Sequence, residues 1–236
     1  MADKPKRPWT VLPHSALQKI DENLWAIESM VPGVPAARRM CIIKRTDGTL
    51  LFFHSIPLDD ETLRQVQALG TPKYLVVGHD QHMIDTHAFA EKLGVDVYGP
   101  KKSEEKMRAR ATLEGVLEDV PADPSIDLMS VPGTKHGETA IIVRSGGGAR
   151  VSILISDVIQ NSPREKTPLF MRLLGFAGGP KIVPVFRMLF LKNKAAVKET
   201  FLKWAAIPNL KRLVPFHGSI VEADAAEALK KVAATL

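Results

Sequence analysis

Residues 78–87 place three of the chain's seven histidines in one short polar segment, directly after the apolar run 74–77. Neutral imidazole nitrogens are common protein ligands for zinc and iron. His79 and His82 are three residues apart, so in a turn their rings can converge on one ion, whereas His87 lies five residues further on, in a predicted helix. The alternative is that all three histidines are solvated in a strand-to-helix loop, and the cluster alone does not decide between the two.

Three later segments carry a potential metal ligand beside a predicted strand. His136 follows a Pro-Gly turn, Asp157 ends an apolar run, and His217 ends the last predicted strand. Metal ligands are often collected from loops at one edge of a sheet, so residues at separate strand ends can meet there. The order His/His, His, Asp, His therefore favours a metal site built from His79, His82, His136, Asp157 and His217.

The composition is that of a folded chain without disulfides. The chain has 236 residues, of which 45% are hydrophobic, and its single cysteine excludes an internal disulfide and cysteine-rich zinc sites. The formal net charge is +6, but no basic run exceeds a pair and only 6% of the residues are aromatic, which argues against nucleic-acid binding. Neither a secretory signal nor an apolar membrane span is recognised, so a cytoplasmic protein is expected.

The hydrophobic pattern predicts strands first, then β/α units, then strands and helices again. Residues 1–20 are expected to be a flexible lead-in, and no linker divides the remainder, so one domain over 1–236 is predicted. The glycine triplet 146–148 is expected to be a hairpin turn and not a phosphate loop, because no helix follows it. Strands are predicted at 23–28, 39–44, 50–54, 74–77, 95–98, 126–131, 140–143, 151–155 and 210–215, and helices at 58–69, 86–93, 103–113, 194–206 and 222–236.

Residues 160–193 form a distinct segment that mixes large apolar side chains with arginine, lysine, glycine and proline. Packing of this segment on the core is favoured, because its glycines and prolines break any long amphipathic helix. Two alternatives stay open. The segment can be an insertion that forms a lid over a pocket near Asp157, or residues 168–193 can contact a membrane surface.

The histidine segment resembles the signature of the metallo-β-lactamase superfamily. That signature is His-x-His-x-Asp-His after a strand, then a His after Pro-Gly, an Asp that ends a strand, and a late His before Gly. When residues 89–100 are matched to the helix and strand that follow the motif, His79 and His82 take the places of its middle and last histidines. Val77 and Gln81 then stand where the superfamily has His and Asp.

The resemblance extends over about residues 20–225. His136 lies two positions beyond the expected histidine, whereas Asp157 and His217, followed by Gly218, match the pattern. The chain is most similar to an uncharacterised branch of the superfamily, a domain of unknown function with an altered metal motif. The resemblance implies an α/β fold, the four-layer αββα sandwich, with metal-binding loops along one sheet edge.

The altered motif implies one metal ion, if any, because a valine cannot bind metal and a neutral amide is a poor ligand. His82, Asp157 and His217 are two imidazoles and one carboxylate, a set that suits zinc or iron with open positions for water. The alternative set keeps His79 and His136 together with Asp157. Asp157 and His82 are the predicted catalytic residues, acting with an ion that produces hydroxide near neutral pH and polarises a carbonyl or phosphoryl oxygen.

Two main functions follow, with redox chemistry at a single iron as a further one. The first is a hydrolase that cleaves an ester, thioester, amide or phosphoester of a small-molecule substrate, and the second is a non-catalytic binding protein that has lost its metal. Among the neighbouring residues, Asp85 is expected to cap the helix at 86, and Glu138 either orients His136 or begins a strand. Asp80 and His87 can replace lost ligands or orient others. The sequence indicates neither the substrate nor the oligomeric state.

Overall fold

The structure, a computed structural model, describes residues 7–236 apart from the side chain of Lys166, and folds them into two stacked β-sheets. The first sheet consists, in chain order, of β1 (Gln18–Asp21), β2 (Leu24–Met30), β3 (Ala37–Lys44), β4 (Thr49–Phe53), β5 (Thr71–Val76), β6 (Asp96–Gly99) and β7 (Gly115–Val116). The second sheet contains β8 (Ile126–Ser130), β9 (Thr139–Ser145), β10 (Arg150–Ile155) and β11 (Leu210–Pro215), in the order β11-β10-β9-β8. Neighbours from β1 to β4 are antiparallel and those from β4 to β7 are parallel, whereas β10 lies antiparallel to β9 and parallel to β11.

Helices cover the outer face of each sheet. The first sheet is covered by α1 (Asp60–Gln67), α2 (Thr86–Leu93) and α3 (Glu104–Arg108). Two short helices follow β10, namely α4 (Leu169–Leu173) and α5 (Pro184–Phe190). The second sheet is covered by α6 (Lys194–Ala205) and α7 (Ala225–Ala234).

An apolar cluster fills each of the three interfaces between these layers. Successive residues of a strand face opposite sides, so Met40 and Ile42 of β3 pack against the helices, whereas Cys41 and Ile43 pack between the sheets. The outer face of the second sheet packs on α6 and α7 in the same way. This arrangement confirms the predicted αββα sandwich.

Turns and caps explain several element boundaries. Asp59 caps α1 by accepting a hydrogen bond from the backbone N–H of Thr62 at 2.7 Å. Gly94 ends α2 in the left-handed conformation, with φ of 63°. The triplet 146–148 is a turn between β9 and β10, as predicted. The helices predicted at 103–113 and 222–236 are shorter in the structure.

The prediction of a flexible lead-in over residues 1–20 is wrong where the structure describes this segment. Strand β1 pairs antiparallel with β2. The ring of Trp9 stacks on Phe89 with 5.8 Å between the centroids, and its Nε1 donates to the carbonyl oxygen of Leu58 at 3.2 Å. Residues 1–6 lie outside the described residues.

The segment 160–193 only partly packs on the core. Ile182 and Val183 are buried, but neither α4 nor α5 contains a buried residue, and Leu173 and Met188 are 81% and 75% exposed. The favoured prediction of core packing is therefore wrong for α4, whereas α5 packs on the core of the second sheet through the partly buried Phe186. Within residues 7–236, none of the helices has the length and apolar character needed to cross a membrane.

Candidate metal centre

The predicted metal ligands lie at one edge of the sandwich, where strands of both sheets end. Asp157 follows β10 and His217 follows β11, and because these strands are parallel their ends meet at the same edge. His79 and His82 follow β5 of the other sheet. The edge therefore collects ligands from both sheets, as the strand-end pattern predicts.

Gly78 lets the two sheets approach closely at this edge. Its carbonyl oxygen accepts a hydrogen bond from the backbone N–H of Thr139 in β9 at 3.1 Å. A Cβ atom at this position would lie 2.2 Å from Oγ of Ser156 and 2.5 Å from Cε1 of His54, well inside van der Waals contact. Only glycine fits this position without a shift of its neighbours.

His79, His82 and Asp157 form the cluster that can hold an ion. Each offers one ligand atom, and these atoms lie within 4.8 Å of one another. Nε2 of His79 is 3.4 Å from Oδ2 of Asp157, and Nε2 of His82 is 2.9 Å from the same oxygen. Tetrahedral zinc bonds of about 2.0–2.2 Å place neighbouring ligand atoms roughly 3.4 Å apart. The His79 distance matches this value, and that of His82 is shorter by about half an ångström.

Glu138 lies directly before β9, close to the second of the two alternatives from the sequence, but its side chain has a role that neither alternative includes. Its side chain is buried and lies against His79, with 3.3 Å between Oε1 and Nε2, and not against His136. Its other oxygen, Oε2, accepts a hydrogen bond from the backbone N–H of Asp157 at 3.0 Å. Glu138 thus adds a second carboxylate to the cluster, on the side of His79.

His217 lies on the opposite side of Asp157. Its Nε2 is 3.4 Å from Oδ1, the carboxylate oxygen that the other two histidines do not contact, and its Nδ1 is 2.6 Å from the carbonyl oxygen of Ala37. Because a carbonyl oxygen only accepts hydrogen bonds, Nδ1 carries a proton. In the neutral ring the lone pair is then on Nε2, which is the tautomer that a metal ligand needs.

His136, a predicted ligand, is not brought into the cluster. Its Nδ1 is 2.7 Å from Oδ1 of Asp80, which also accepts a hydrogen bond from Oγ of Ser103, and its ring centroid lies 5.6 Å from that of His79. Burial lowers the pKa of His136. The neutral ring therefore donates Nδ1–H to Asp80 and keeps a buried lone pair on Nε2. Asp80 orients His136, in the supporting role considered for it from the sequence.

The remaining residues of the histidine segment lie outside the cluster. Val77 is buried in the apolar layer that packs on α1 to α3. The side chain of Gln81 is exposed, and His87 lies on α2, 3.6 Å from Glu91. Asp85 precedes α2, but its side chain makes no cap hydrogen bond, so the predicted capping role is wrong.

Asp85 instead forms a buried ion pair. Its Oδ2 accepts a hydrogen bond from Nη2 of Arg38 in β3 at 2.6 Å, and both side chains are nearly inaccessible to water. Arg7 lies on the other side, with 3.6 Å between Nε and Oδ1. The strong, charge-assisted hydrogen bond to Arg38 explains why the carboxylate turns away from the helix.

Burial and neighbouring charges set the protonation of the cluster. Burial raises the pKa of Glu138 to about 7 and lowers the pKa of His82 to about 4. Burial also acts to raise the pKa of Asp157, but His82 and His79 hold it well below its ordinary value. Burial acts to lower the pKa of His79, but Glu138 and Asp157 raise it to about 9. Without an ion at about pH 8, His79 is therefore an imidazolium between two carboxylates, and His82 is neutral.

The cluster fits one ion at a modest local cost. Nε2 of His79 and Oδ1 of Asp157 are buried and make no hydrogen bond of good geometry, so both can serve an ion. When the ring of His79 is neutral, its Nδ1 can accept the backbone N–H of Gln81, 3.2 Å away, and its proton is then on Nε2. In the imidazolium and in a ring that coordinates an ion through Nε2, Nδ1 carries a proton instead and this bond, worth about 1 kcal/mol, is lost. This is small beside the roughly 10–16 kcal/mol of structural zinc binding.

A cavity of about 510 Å³ opens beside the cluster. His82 and His217 line it, together with His54 and Ser55, which directly follow β4. The outer wall comes from α4, α5 and the loop between β2 and β3. The volume lies within the range of about 300–1,000 Å³ that small-molecule sites occupy.

Comparison with known proteins identifies the fold. No protein-family model and no curated protein matches the chain, so the resemblance to an uncharacterised branch stays a prediction. Among solved structures, the mono-zinc form of the metallo-β-lactamase FIM-1 from Pseudomonas aeruginosa is similar to it, with a TM-score of 0.64, 14% identity and coverage of 98% of this chain and 97% of that one. The metallo-β-lactamase DIM-1 has a TM-score of 0.63, 12% identity and coverage of 96% and 99%. A metallo-β-lactamase from Erythrobacter litoralis has a TM-score of 0.57, 13% identity and coverage of 93% and 92%. The chain has the metallo-β-lactamase fold.

Proposed function

We propose that the protein is a metal-dependent hydrolase that uses one zinc or iron ion and acts on a small molecule with an ester, thioester, amide or phosphoester bond. The proposal is carried by the mutual approach of His79, His82 and Asp157, whose ligand atoms lie within 4.8 Å of one another. Two imidazoles and one carboxylate, with a further position open, are a donor set of catalytic zinc sites. The similarity to metallo-β-lactamases, one of them in a mono-zinc form, supports the proposal.

In this proposal the three cluster residues are the ligands, the fourth position stays open to water, and His217 is the candidate for a fifth position. Its Nδ1–H is fixed by the carbonyl oxygen of Ala37, so its Nε2 lone pair faces Asp157 and the cavity. His136 is held by Asp80 and joins the ligands only if its side chain moves. The set of His82, Asp157 and His217 inferred from the sequence is thereby extended by His79.

An ion in this position supplies a Lewis acid that makes water a nucleophile near neutral pH and polarises the bond to be cleaved. The chain's own residues prepare the site for it. Glu138 holds the backbone N–H of Asp157, and Ser156 contacts Nδ1 of His82 through Oγ at 3.2 Å. These contacts fix the orientation of the ligands before substrate enters the cavity.

A non-catalytic binding protein is the second candidate, and one observation favours it. The imidazolium of His79 compensates the charge of Asp157, and Glu138, whose pKa is raised to about 7, is neutral when it takes up a proton, so the cluster can be stable without an ion. In this case the cavity binds a ligand and no bond is cleaved.

Metal analysis followed by activity assays separates the two candidates. Protein purified without added metal, and the same protein titrated with zinc or ferrous iron, is expected to hold one ion per chain. His82→Ala and Asp157→Ala should each weaken binding by more than the roughly 10–100-fold that is typical of residues that only orient ligands. His87→Ala is the matched control, because this ring lies on α2 away from the cluster and pairs with Glu91.

The loaded protein is then assayed with a panel of esters, thioesters, amides and phosphoesters. Turnover that both ligand variants lose and the control keeps supports the hydrolase. Failure to take up zinc or iron contradicts it and leaves the binding protein as the remaining candidate.

A further inference from the structure

We infer that the cavity beside the metal cluster binds the alkyl or acyl chain of an amphiphile, with the polar end of that molecule at His82 and His217. The placement of the polar end rests on the proposed hydrolase function. The binding of the alkyl or acyl chain rests on the structure of the cavity alone.

The outer wall of the cavity is apolar and comes from two separate parts of the chain. One part is the segment around α4 and α5, which contributes Phe170, Leu174 and Phe186. The other is the loop between β2 and β3, which contributes Val31 and Val34. Walls of this kind favour a ligand that buries methylene groups, each worth about 0.8 kcal/mol on transfer from water.

The charged groups in the wall are already paired. The arginines among the described residues that line the cavity are Arg38 and Arg39. Arg38 pairs with Asp85, and Arg39 donates to Glu28 and to the carbonyl oxygen of Gly218 at 2.6 Å. Neither arginine is available to neutralise an anionic group deep in the cavity, so a neutral chain fits better than a charged substrate.

The rim of the cavity exposes large apolar side chains to water. Phe170 and Leu174 of the α4 segment are 56% and 59% exposed, and Ile84 is 42% exposed, although all three also line the cavity. Large apolar side chains exposed around one cavity mark a binding site for an apolar partner. A chain lying in the cavity covers the inner side of this rim.

The inner end of the cavity is polar. His82 and His217 lie there beside the cluster, and the ring of His54 is buried between Phe53 and Phe216 with neither nitrogen in a hydrogen bond. A buried imidazole without a partner costs free energy that a polar ligand atom can recover. The cavity therefore changes from apolar at the rim to polar at the cluster, which matches an amphiphile and not a pure hydrocarbon.

A displacement assay on chelator-treated protein tests the inference without metal or turnover. The probe is anilinonaphthalene sulfonate, a dye that fluoresces in apolar sites, and the competitors are hexanol, octanol and decanol. The dissociation constant of the competitor is expected to fall about fourfold for each added methylene, the equivalent of 0.8 kcal/mol. A constant that does not change with chain length overturns the inference.

Two variants on one helix place the binding at the cavity. Phe170→Asp puts a carboxylate on the cavity wall and should abolish the dependence on chain length. Leu173→Asp is the matched control, because Leu173 lies on the same helix, is 81% exposed and does not line the cavity. Both side chains are largely exposed, so neither change removes core packing. Equal alkanol binding by wild type and Phe170→Asp also overturns the inference.

Sedimentation with lipid vesicles distinguishes an alkyl chain that belongs to a membrane lipid from one that belongs to a dissolved amphiphile. If the protein sediments with phosphatidylcholine vesicles and Leu173→Asp weakens this, the alkyl chain belongs to a lipid in a bilayer, because Leu173 faces outward beyond the cavity. Binding of alkanols without co-sedimentation assigns it to a dissolved amphiphile. If the protein binds alkanols but neither metal nor vesicles, this inference stands and the proposed hydrolase function is rejected. The two proposals can therefore fail separately.

Discussion

Metal binding at His79 has to displace a proton from its ring, so the affinity for zinc should depend on pH. Glu138→Gln tests this prediction. The carboxylate of Glu138 lies 3.3 Å from Nε2 of His79 and is the largest of the influences that raise its pKa to about 9. Glutamine has nearly the same shape and keeps an oxygen that can accept the backbone N–H of Asp157. The change therefore removes one charge and little else, and the pKa of His79 should fall.

The expected size of the effect follows from competition between the proton and the ion. Metal binds the neutral ring, and a group with a pKa of about 9 is neutral in roughly one molecule in 100 at pH 7. Wild-type affinity for zinc should thus rise about tenfold per pH unit from pH 7 to pH 9, a total of about 3 kcal/mol. In the variant the rise should stop at a lower pH.

Calorimetric titration with zinc in buffers of different ionisation enthalpy counts the protons released. Near pH 7.5 the wild type should release about one proton from His79 for each ion bound, and Glu138→Gln should release fewer. Glu91→Gln is the matched control, because it removes a carboxylate 3.6 Å from the partly exposed His87. Zinc binding by wild type without proton release, or the same release by wild type and Glu138→Gln, would refute the reasoning.

Two further predictions concern the stability of the fold around the site. Gly78→Ala places a Cβ 2.2 Å from Oγ of Ser156, so it should lower the free energy of unfolding by about 1–3 kcal/mol and weaken zinc binding, as measured by urea unfolding and zinc titration. Unchanged stability would show that this edge is looser than its contacts indicate. Arg38→Met leaves Asp85 buried with only a more distant cation and should cost about 3 kcal/mol in urea unfolding. The control Arg64→Met breaks an exposed pair and should cost no more than about 1 kcal/mol; equal losses would contradict the argument from burial.

The sandwich was largely predictable because its layers follow from local patterns. The apolar runs of β3 and β4, the cap of α1 at Asp59 and the end of α2 at Gly94 act over short distances, and the structure has these elements at or near the predicted positions. Strand β1 was missed because its sequence, Gln-Lys-Ile-Asp, is mostly polar and its pairing with β2 supplies the order that its own residues do not. Tertiary contacts also decide the role of Asp85, since its partner Arg38 lies 47 positions away.

The position of Glu138 could have been inferred from the register of one hairpin. Ala140 of β9 lies opposite Ile155 of β10, and continuing the antiparallel register by two residues places Glu138 opposite Asp157. The hairpin itself was predicted, but its register was not, because the glycine-rich turn permits more than one alignment. The exposure of α4 has no comparable signal, since exposed and buried apolar helices share the same composition.

The charge of the cluster gives a reason why the fold can keep these residues with or without an ion. Below about pH 7, a protonated Glu138, an ionised Asp157 and an imidazolium at His79 sum to zero. With a divalent ion, two ionised carboxylates and neutral imidazoles also sum to zero. A buried site is most stable when its net charge is compensated, so protons and one ion can stabilise the same geometry. The fold therefore does not by itself select between a hydrolase and a binding protein, whereas the number of protons released on metal binding does.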